Sequence, residues 1–341
     1  MKQAVMTDFN TLKIIEREIP KITEGEALIR VLFVGICGSD LHIFEGKHPT
    51  AQPPLVLGYE FVGELVEIND RAQNNFVKGD AVTAHPLTSC GVCIHCISGR
   101  QNICSDVSIF GVHRDGCYSG YVKVAVDRLV KIDPRIDLQV AALAEPLAGA
   151  LHDIRRSGLQ TGESVFIVGA GPIGILLAIM AERIGAGRIV LSEIDGQRKA
   201  FAHRLGFEVL NPVQVDTRKP IAEYMGTEGF QRVFEVTGSR EGLSMAIRGA
   251  GSGGSLVLVG IPKGKLPLDI VSVVLRELDL KGVRIHSFTN FRDAIEILNK
   301  GTINHKLKKL ISEVYPFEEV PEVLHGIAKN KSIIKALIRI T

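Results

Sequence analysis

The run "SVFIVGAGPIGILLAIMAERIGA", from Ser164 to Ala186, limits what this chain can fold into more than any other stretch. A short apolar run stops at Gly169, Gly171 and Gly174, and a helix-length apolar stretch follows at once. In a G-x-G-x-x-G turn between strand and helix, the first glycine permits the tight turn and the second lets the backbone approach a pyrophosphate. The third lets helix and strand pack closely, with the helix N-terminus facing the anion. Its part from Ser164 to Ala181 is apolar enough to resemble a membrane span, but the glycine cluster fits a buried strand entering a buried helix better. The next strand, "RIVLSE", ends in Glu193, at the distance expected of a carboxylate that holds the adenosine ribose. A surface acid at a strand end is the plainer reading. If Glu193 does hold the ribose, it repels a 2′-phosphate, and NAD is expected over NADP. The candidate cofactor residues are therefore Gly169, Gly171, Pro172, Ile173, Gly174 and Glu193, with Thr237 in "EVTG". Arg198 joins them as a residue that lies along the adenine, pairs with a phosphate or is solvated.

From about Glu163 strands and helices alternate: "RIVLSEI", "GQRKAFAHRLGF", "RVFEVTG", "REGLSMAIRGA" and "GSLVLVGIP", closing near "LDLKGVRI". That alternation predicts a doubly wound parallel sheet. From Met1 to about Val130 the pattern is short β-rich runs such as "EALIRVLFVG" and "FVGELVEIN", which predicts a barrel-like all-β unit. The tail from "FRDAIEILNKG" to "IIKALIRIT" ends in a strand and is expected to return to that first unit. A length of 341 residues suits about two domains. The boundaries expected are 1–147 with 285–341 for one and 148–284 for the other. The net charge of +2, with no basic block, argues against nucleic acid or an anionic membrane as partner and leaves a small molecule. The N-terminus reads as a strand and not as a signal peptide, so a cytosolic location is expected.

Six cysteines in a cytosolic chain point to metal before disulfides. "CGVCIHCISGRQNIC" spaces Cys90, Cys93, Cys96 and Cys104 as C-x2-C-x2-C-x7-C. Four thiolates this close can surround one zinc, and a closed sulfur shell leaves no room for substrate, so the zinc is structural. An iron–sulfur cluster is the competing assignment. His95 reads as a surface residue of the same lobe.

A β-rich domain with a four-cysteine lobe, followed by a glycine-turn nucleotide domain, resembles the zinc-containing medium-chain dehydrogenases over essentially the whole chain. The resemblance is carried by "GICGSDLH", "LGYEFVGELVE", the cysteine lobe, "EPLAGALH" and "VGAGPIG". It implies an α/β protein with a GroES-like catalytic domain and a Rossmann NAD-binding domain, and a homodimer or homotetramer paired through Rossmann sheet edges, for which "GSLVLVGI" offers a strand. Glu145 in "EPLAGALH" places the likeness in the polyol and sugar-acid branch. "GVHRDGCYSGY" is similar to the form in dehydrogenases of hexonates such as L-galactonate and L-gulonate.

The resemblance implies hydride transfer from a secondary alcohol to NAD, assisted by a catalytic zinc. It makes Cys37 a metal ligand, Glu60 a ligand that can approach or leave, and Glu145 the acid that binds the metal or its water. Ser39 takes the substrate proton and His42 passes it to solvent. Arg284 in "LKGVRIHSF" and His113 in "GVHRDG" become candidate substrate residues, with Arg114 beside them. One position departs from the pattern: Tyr59 stands where the family has a histidine ligand. A phenol must lose a proton of pKa about 10 to bind zinc, whereas imidazole is ready near pH 7. Three arrangements follow. Zinc stays on Cys37, Glu60 and Glu145 with Tyr59 beside it, or Tyr59 ligates, or the site holds no metal. The retained residues point to the first.

Overall fold

A computed structural model describes residues 1–70, 75–214, 228–330 and 332–341. Its contacts divide into two units, Met1–Ala148 with His286–Thr341, and Gly149–Ile285.

In the first unit, β1 (Lys2–Asp8) pairs with β2 (Thr11–Glu16), and β3 (Glu26–Gly35) leads into α1 (Gly38–Phe44). Then come β4 (Leu55–Val56), β5 (Glu60–Asn69) and β6 (Ala81–Ala84). The cysteine lobe lies between β7 (Leu87–Thr88) and β8 (Ser108–Ile109) and contains α2 (Ile94–Ile97). After β9 (Tyr121–Ala125), β10 (Leu129–Lys131) and α3 (Leu138–Ala141), the chain passes to the second unit inside α4 (Ala144–Ser157). The first unit is not purely β, because α1 falls in the stretch expected to be free of helix. Seven residues are too few to show a helical period.

The second unit holds β11 (Ser164–Val168), α5 (Pro172–Ile184), β12 (Arg188–Ser192), α6 (Gly196–Arg204), β13 (Glu208–Leu210), β14 (Phe230–Glu235) and α7 (Arg240–Gly249). It ends with β15 (Ala250–Leu258), α8 (Ile270–Leu275) and β16 (Asp279–Gly282). The strand order is β13-β12-β11-β14-β15-β16, all parallel, with nucleotide-fold crossovers from β11 in both directions. Phe166 and Phe230 stack 5.1 Å apart in its core with Val190, Val233, Ala246 and Leu256. "GSLVLVGI" does not offer a free edge: its first part lies in β15, paired on both sides, and the strands at the edges are β13 and β16.

The tail supplies α9 (Phe288–Lys300), α10 (Asn304–Leu310), β17 (Ile311–Pro316), α11 (Val320–Gly326) and β18 (Lys335–Arg339). It returns to the first unit, where the sheet order is β10-β6-β5-β3-β18-β17 with β9 also on β3. Leu337, Ile338 and Arg339 pair antiparallel with Gly35, Val34 and Phe33. This puts the start of β18, at Lys335, beside the start of α1. Among the described residues no helix is long and apolar enough to cross a membrane.

Candidate active site

The glycine turn is built as its sequence requires. Gly169 has φ +111°, a conformation that side chains rarely adopt, and a Cβ on Gly174 would stand 2.0 Å from the Gly169 carbonyl. Around Gly171 space is open except for the Arg198 guanidinium, 3.7 Å from where a Cβ would be. Pro172 opens α5 at its first turn, where a missing N–H costs nothing, and Ile173 follows. Glu193 lies at the C-terminal end of β12. Its Oε2 accepts from Ala170 N at 2.9 Å and its Oε1 from Ile194 N and Asp195 N at 2.8 and 2.9 Å. Thr237 N donates to Glu235 at 2.8 Å just beyond β14.

In the lobe, Cys90, Cys93, Cys96 and Cys104 bring four sulfur atoms within 4.8 Å of one another. The sulfurs of Cys90 and Cys96 are 3.8 Å apart, as are those of Cys93 and Cys104, and Cys104 is 3.5 Å from Cys90. Zinc–sulfur bonds of about 2.3 Å give a tetrahedron with edges of about 3.8 Å, so the donor set fits that ion. Backbone N–H groups of Val92 and Cys93 hold the Cys90 thiol down to about 6, toward the ligating thiolate. His95 lies on α2 outside the four-sulfur set.

The second group of candidates gathers in the first unit. Cys37 caps α1, and Asp40, three residues on, takes the Cys37 N–H at 2.9 Å, as a capping-box residue does. The same carboxylate accepts from Gly58 N and from Tyr118 Oη, both at 3.2 Å. Burial raises Asp40 to about 7 against those N–H bonds. Cys37, Tyr59, Glu60 and Glu145 surround one another closely enough to perturb each other's ionisation. Burial pushes the Cys37 thiol up to about 12, with Glu60 adding and Lys335 opposing. Burial also lifts the Tyr59 phenol well above its usual value, and Cys37 and Glu145 lift it further. Burial raises Glu145 to about 7. Two buried acids, Asp40 and Glu60, and the partly buried Glu145 around one thiol, balanced by one ammonium, are a setting that a divalent cation suits. Among the described residues, however, only the lobe brings donor atoms of three or more His, Cys, Asp or Glu within 4.8 Å.

Two members of this cluster escaped the sequence reading. Lys335 of β18 is buried, makes a salt bridge with Glu60 and donates to Ile36 O at 2.8 Å. Burial works against its charge, yet Glu60, Cys37 and Glu145 together hold the ammonium above its usual value. The signal was a lone lysine in an apolar strand, "IIKALIRI". His286, also buried, sets Nε2 3.2 Å from Glu145 Oε1, and burial lowers it to about 4. It stands two residues beyond the arginine picked from "LKGVRIHSF".

Ser39 and His42 lie one turn apart on α1, and His42 is exposed. Near His42, His48 Nδ1 accepts from Thr50 N and Ala51 N at 3.3 and 3.2 Å, and His113 Nε2 is 3.5 Å from Thr50 Oγ1. Burial, His113 and His42 all hold His48 below its usual value. Arg114 is taken up by Phe110, its guanidinium 3.9 Å from the ring centre. Arg284 is an exposed residue of the second unit, after β16.

Residues 23–134 match the family model for the alcohol dehydrogenase GroES-like domain, and residues 172–300 match that for zinc-binding dehydrogenases. The chain is 34% identical to 2-dehydro-3-deoxy-L-galactonate 5-dehydrogenase of Pseudoalteromonas atlantica, over 92% of this chain and 91% of that one. The chain belongs to the zinc-binding alcohol dehydrogenases. Its likeness to L-galactonate-5-dehydrogenase of Escherichia coli is 33% over 95% of this chain and 94% of the relative. A zinc-binding dehydrogenase of Sinorhizobium meliloti, solved with NADP, superposes with a TM-score of 0.93 at 29% identity, covering 99% of each chain. This dehydrogenase is thus an oxidoreductase of the zinc-binding type with a Rossmann and a GroES-like domain.

Proposed function

We propose that this dehydrogenase oxidises a secondary hydroxyl of a sugar acid or polyol with NAD. The sharper form of the proposal is oxidation of a hexonate such as L-gulonate or L-galactonate to its 5-keto acid. The build of "GVHRDGCYSGY", the stretch similar to hexonate dehydrogenases, carries this reading. Gly116, Cys117 and Tyr118 donate backbone bonds of 2.7, 2.8 and 3.0 Å to Val56, Gly58 and Leu57, beside Tyr59 and Glu60. That stretch thereby brings His113 to Thr50 and the Tyr118 hydroxyl to Asp40. The relatives named for galactonate substrates add to it. Hexitol, threonine and simple-alcohol oxidation are the alternatives within the enzyme class.

Cys90, Cys93, Cys96 and Cys104 hold a structural zinc, and Cys37, Glu60 and Glu145 hold the catalytic one. When bound, the catalytic metal would supply Lewis acidity toward the reacting hydroxyl and the nicotinamide would supply the hydride acceptor. Ser39 accepts the hydroxyl proton, since its own oxygen both accepts and donates, and His42 passes it to water. Lys335 moderates Glu60, the ligand that can leave. His113 recognises the far end of the substrate, and Arg284 is a separate candidate for that role. Glu193, at the end of β12, favours NAD by repelling a 2′-phosphate. The protein works in the cytosol, where thiols stay reduced for the lobe, and it forms a homo-oligomer. Val271, Val274 and Leu275 of α8, 65–79% exposed, precede the edge strand β16, and with the exposed Ile261 they suit a second copy.

Tyr59 motivates a second reading, a weakened dehydrogenase that binds NAD and acts as a sensor. A panel of hexonates and hexitols with NAD or NADP, with and without added zinc, separates the two. Formation of NADH with a hexonate supports the first. Silence across the panel with cofactor binding intact supports the sensor.

A further inference from the structure

We propose that His286 supplies the imidazole ligand of the catalytic metal, in place of the one lost where Tyr59 stands. The inference rests on the reading above that Cys37 and Glu145 hold a metal, and goes beyond it by naming a ligand from a different segment of the chain.

Four observations meet at this residue. The first is chemical: tyrosine is not among the usual zinc ligands, whereas imidazole is. Cys37, Glu60 and Glu145 without an imidazole would form a shell of one sulfur and carboxylate oxygens, lacking the nitrogen donor that catalytic zinc sites carry. The second is geometric. His286 Nε2 and Glu145 Oε1 are 3.2 Å apart. Two ligand atoms each about 2.0 Å from one zinc lie about 3.3 Å apart in a tetrahedron, so the pair already has the spacing of neighbouring ligands.

The third is the ring's own accounting. His286 is 1% exposed, and its contact with Glu145 uses a single ring nitrogen. Nδ1 is buried with no hydrogen-bond partner, so Nε2 toward Glu145 is the ring's one polar contact. Stacking on Phe291, 5.7 Å between centres and 8° from parallel, fixes the plane of the ring. The fourth is strain. Ile285, the residue before it, has φ +51°, which a β-branched residue seldom adopts. Strain of that kind persists where the surroundings hold a side chain to a task, and here the strained residue immediately precedes the side chain that meets Glu145.

The test is metal content, followed by the absorption spectrum of cobalt substituted for zinc, both read without turnover. Wild-type protein loaded with zinc should hold two ions per chain and Cys37→Ser one. His286→Ala and His286→Asn should also hold one, with the cobalt bands of the Cys37 site gone and the lobe's retained. His286→Asp, which restores a ligand, should recover the second ion, and Tyr59→Phe should keep both. Circular dichroism and the lobe's retained ion guard against misfolding.

If His286→Asn keeps the second ion while His286→Ala loses it, the residue merely orients Glu145 and the inference is overturned. If both variants keep it while Cys37→Ser does not, the inference is overturned and the catalytic-zinc reading survives. A wild-type chain that binds one ion, whatever is added, overturns both.

Discussion

At Lys335 and Glu60 a buried ammonium meets a buried carboxylate, and the energetics of that pair govern what can be changed around it. Removing one partner of such a pair leaves the other charged and desolvated, at a cost of about 3–5 kcal/mol. Lys335→Met should therefore lower the urea midpoint by that equivalent, and adding Glu60→Gln should restore most of the loss. A destabilisation as large in the double variant as in the single one would refute the pairing. His85 makes a prediction in pH. It is buried, its Nδ1 lies 3.2 Å from Leu87 O, and burial, with His286 adding, holds it well below its usual value. The unfolded chain protonates this histidine near pH 6.5 while the folded chain does not. Its stabilising effect is thus present above about pH 6.5 and lost as pH falls, by up to about 1.4 kcal/mol per unit. Urea titrations from pH 7.5 to about 5 should show a slope that His85→Gln reduces. Single residues of this kind were the least legible in the sequence. Cys37, Glu60 and Glu145 stood out because each sits in a dense motif, whereas Lys335 and His286 enter from the tail, and only tertiary structure brings them to that cluster.

Elements were read more easily, because a strand that ends in a glycine turn and opens a helix has few other solutions. The parallel unit from β11 to β16 follows from alternating periodicity, as expected. Which strand lies at the edge was missed although the pattern carries it: β15 holds the buried Leu256 and Val257, whereas β16 is the short, polar "DLKG" with no buried residue. Glu193 carries the prediction at this scale. Its carboxylate accepts three backbone N–H groups, including Ala170 N within the glycine turn. Glu193→Ser should shift the ratio of kcat/KM for NADP against NAD by at least about tenfold toward NADP, roughly 1.4 kcal/mol. It should also weaken NAD binding as the turn loses an acceptor. An unchanged ratio would remove Glu193 from cofactor selection.

At the scale of the whole molecule, the exposed aliphatic residues of α8 and Ile261 bear on assembly. If they meet a second copy, placing charges there with Val274→Asp and Leu275→Asp should halve the mass seen by light scattering, with the secondary structure intact. An unaltered mass would assign that face another use. The return of the tail to the first unit was foreseen from its final apolar strand. The position of β18 inside the sheet beside β3 was not, because pairing across some three hundred residues leaves no local trace. That pairing has a consequence for how the protein is made. Gly149–Ile285 is one continuous stretch and can complete its sheet as soon as it leaves the ribosome, while β3 must wait for Leu337. Until then the edge of β3 is an open template for other chains, so a nascent chain stalled before Ile334 would present an unfinished sheet to chaperones or to aggregation.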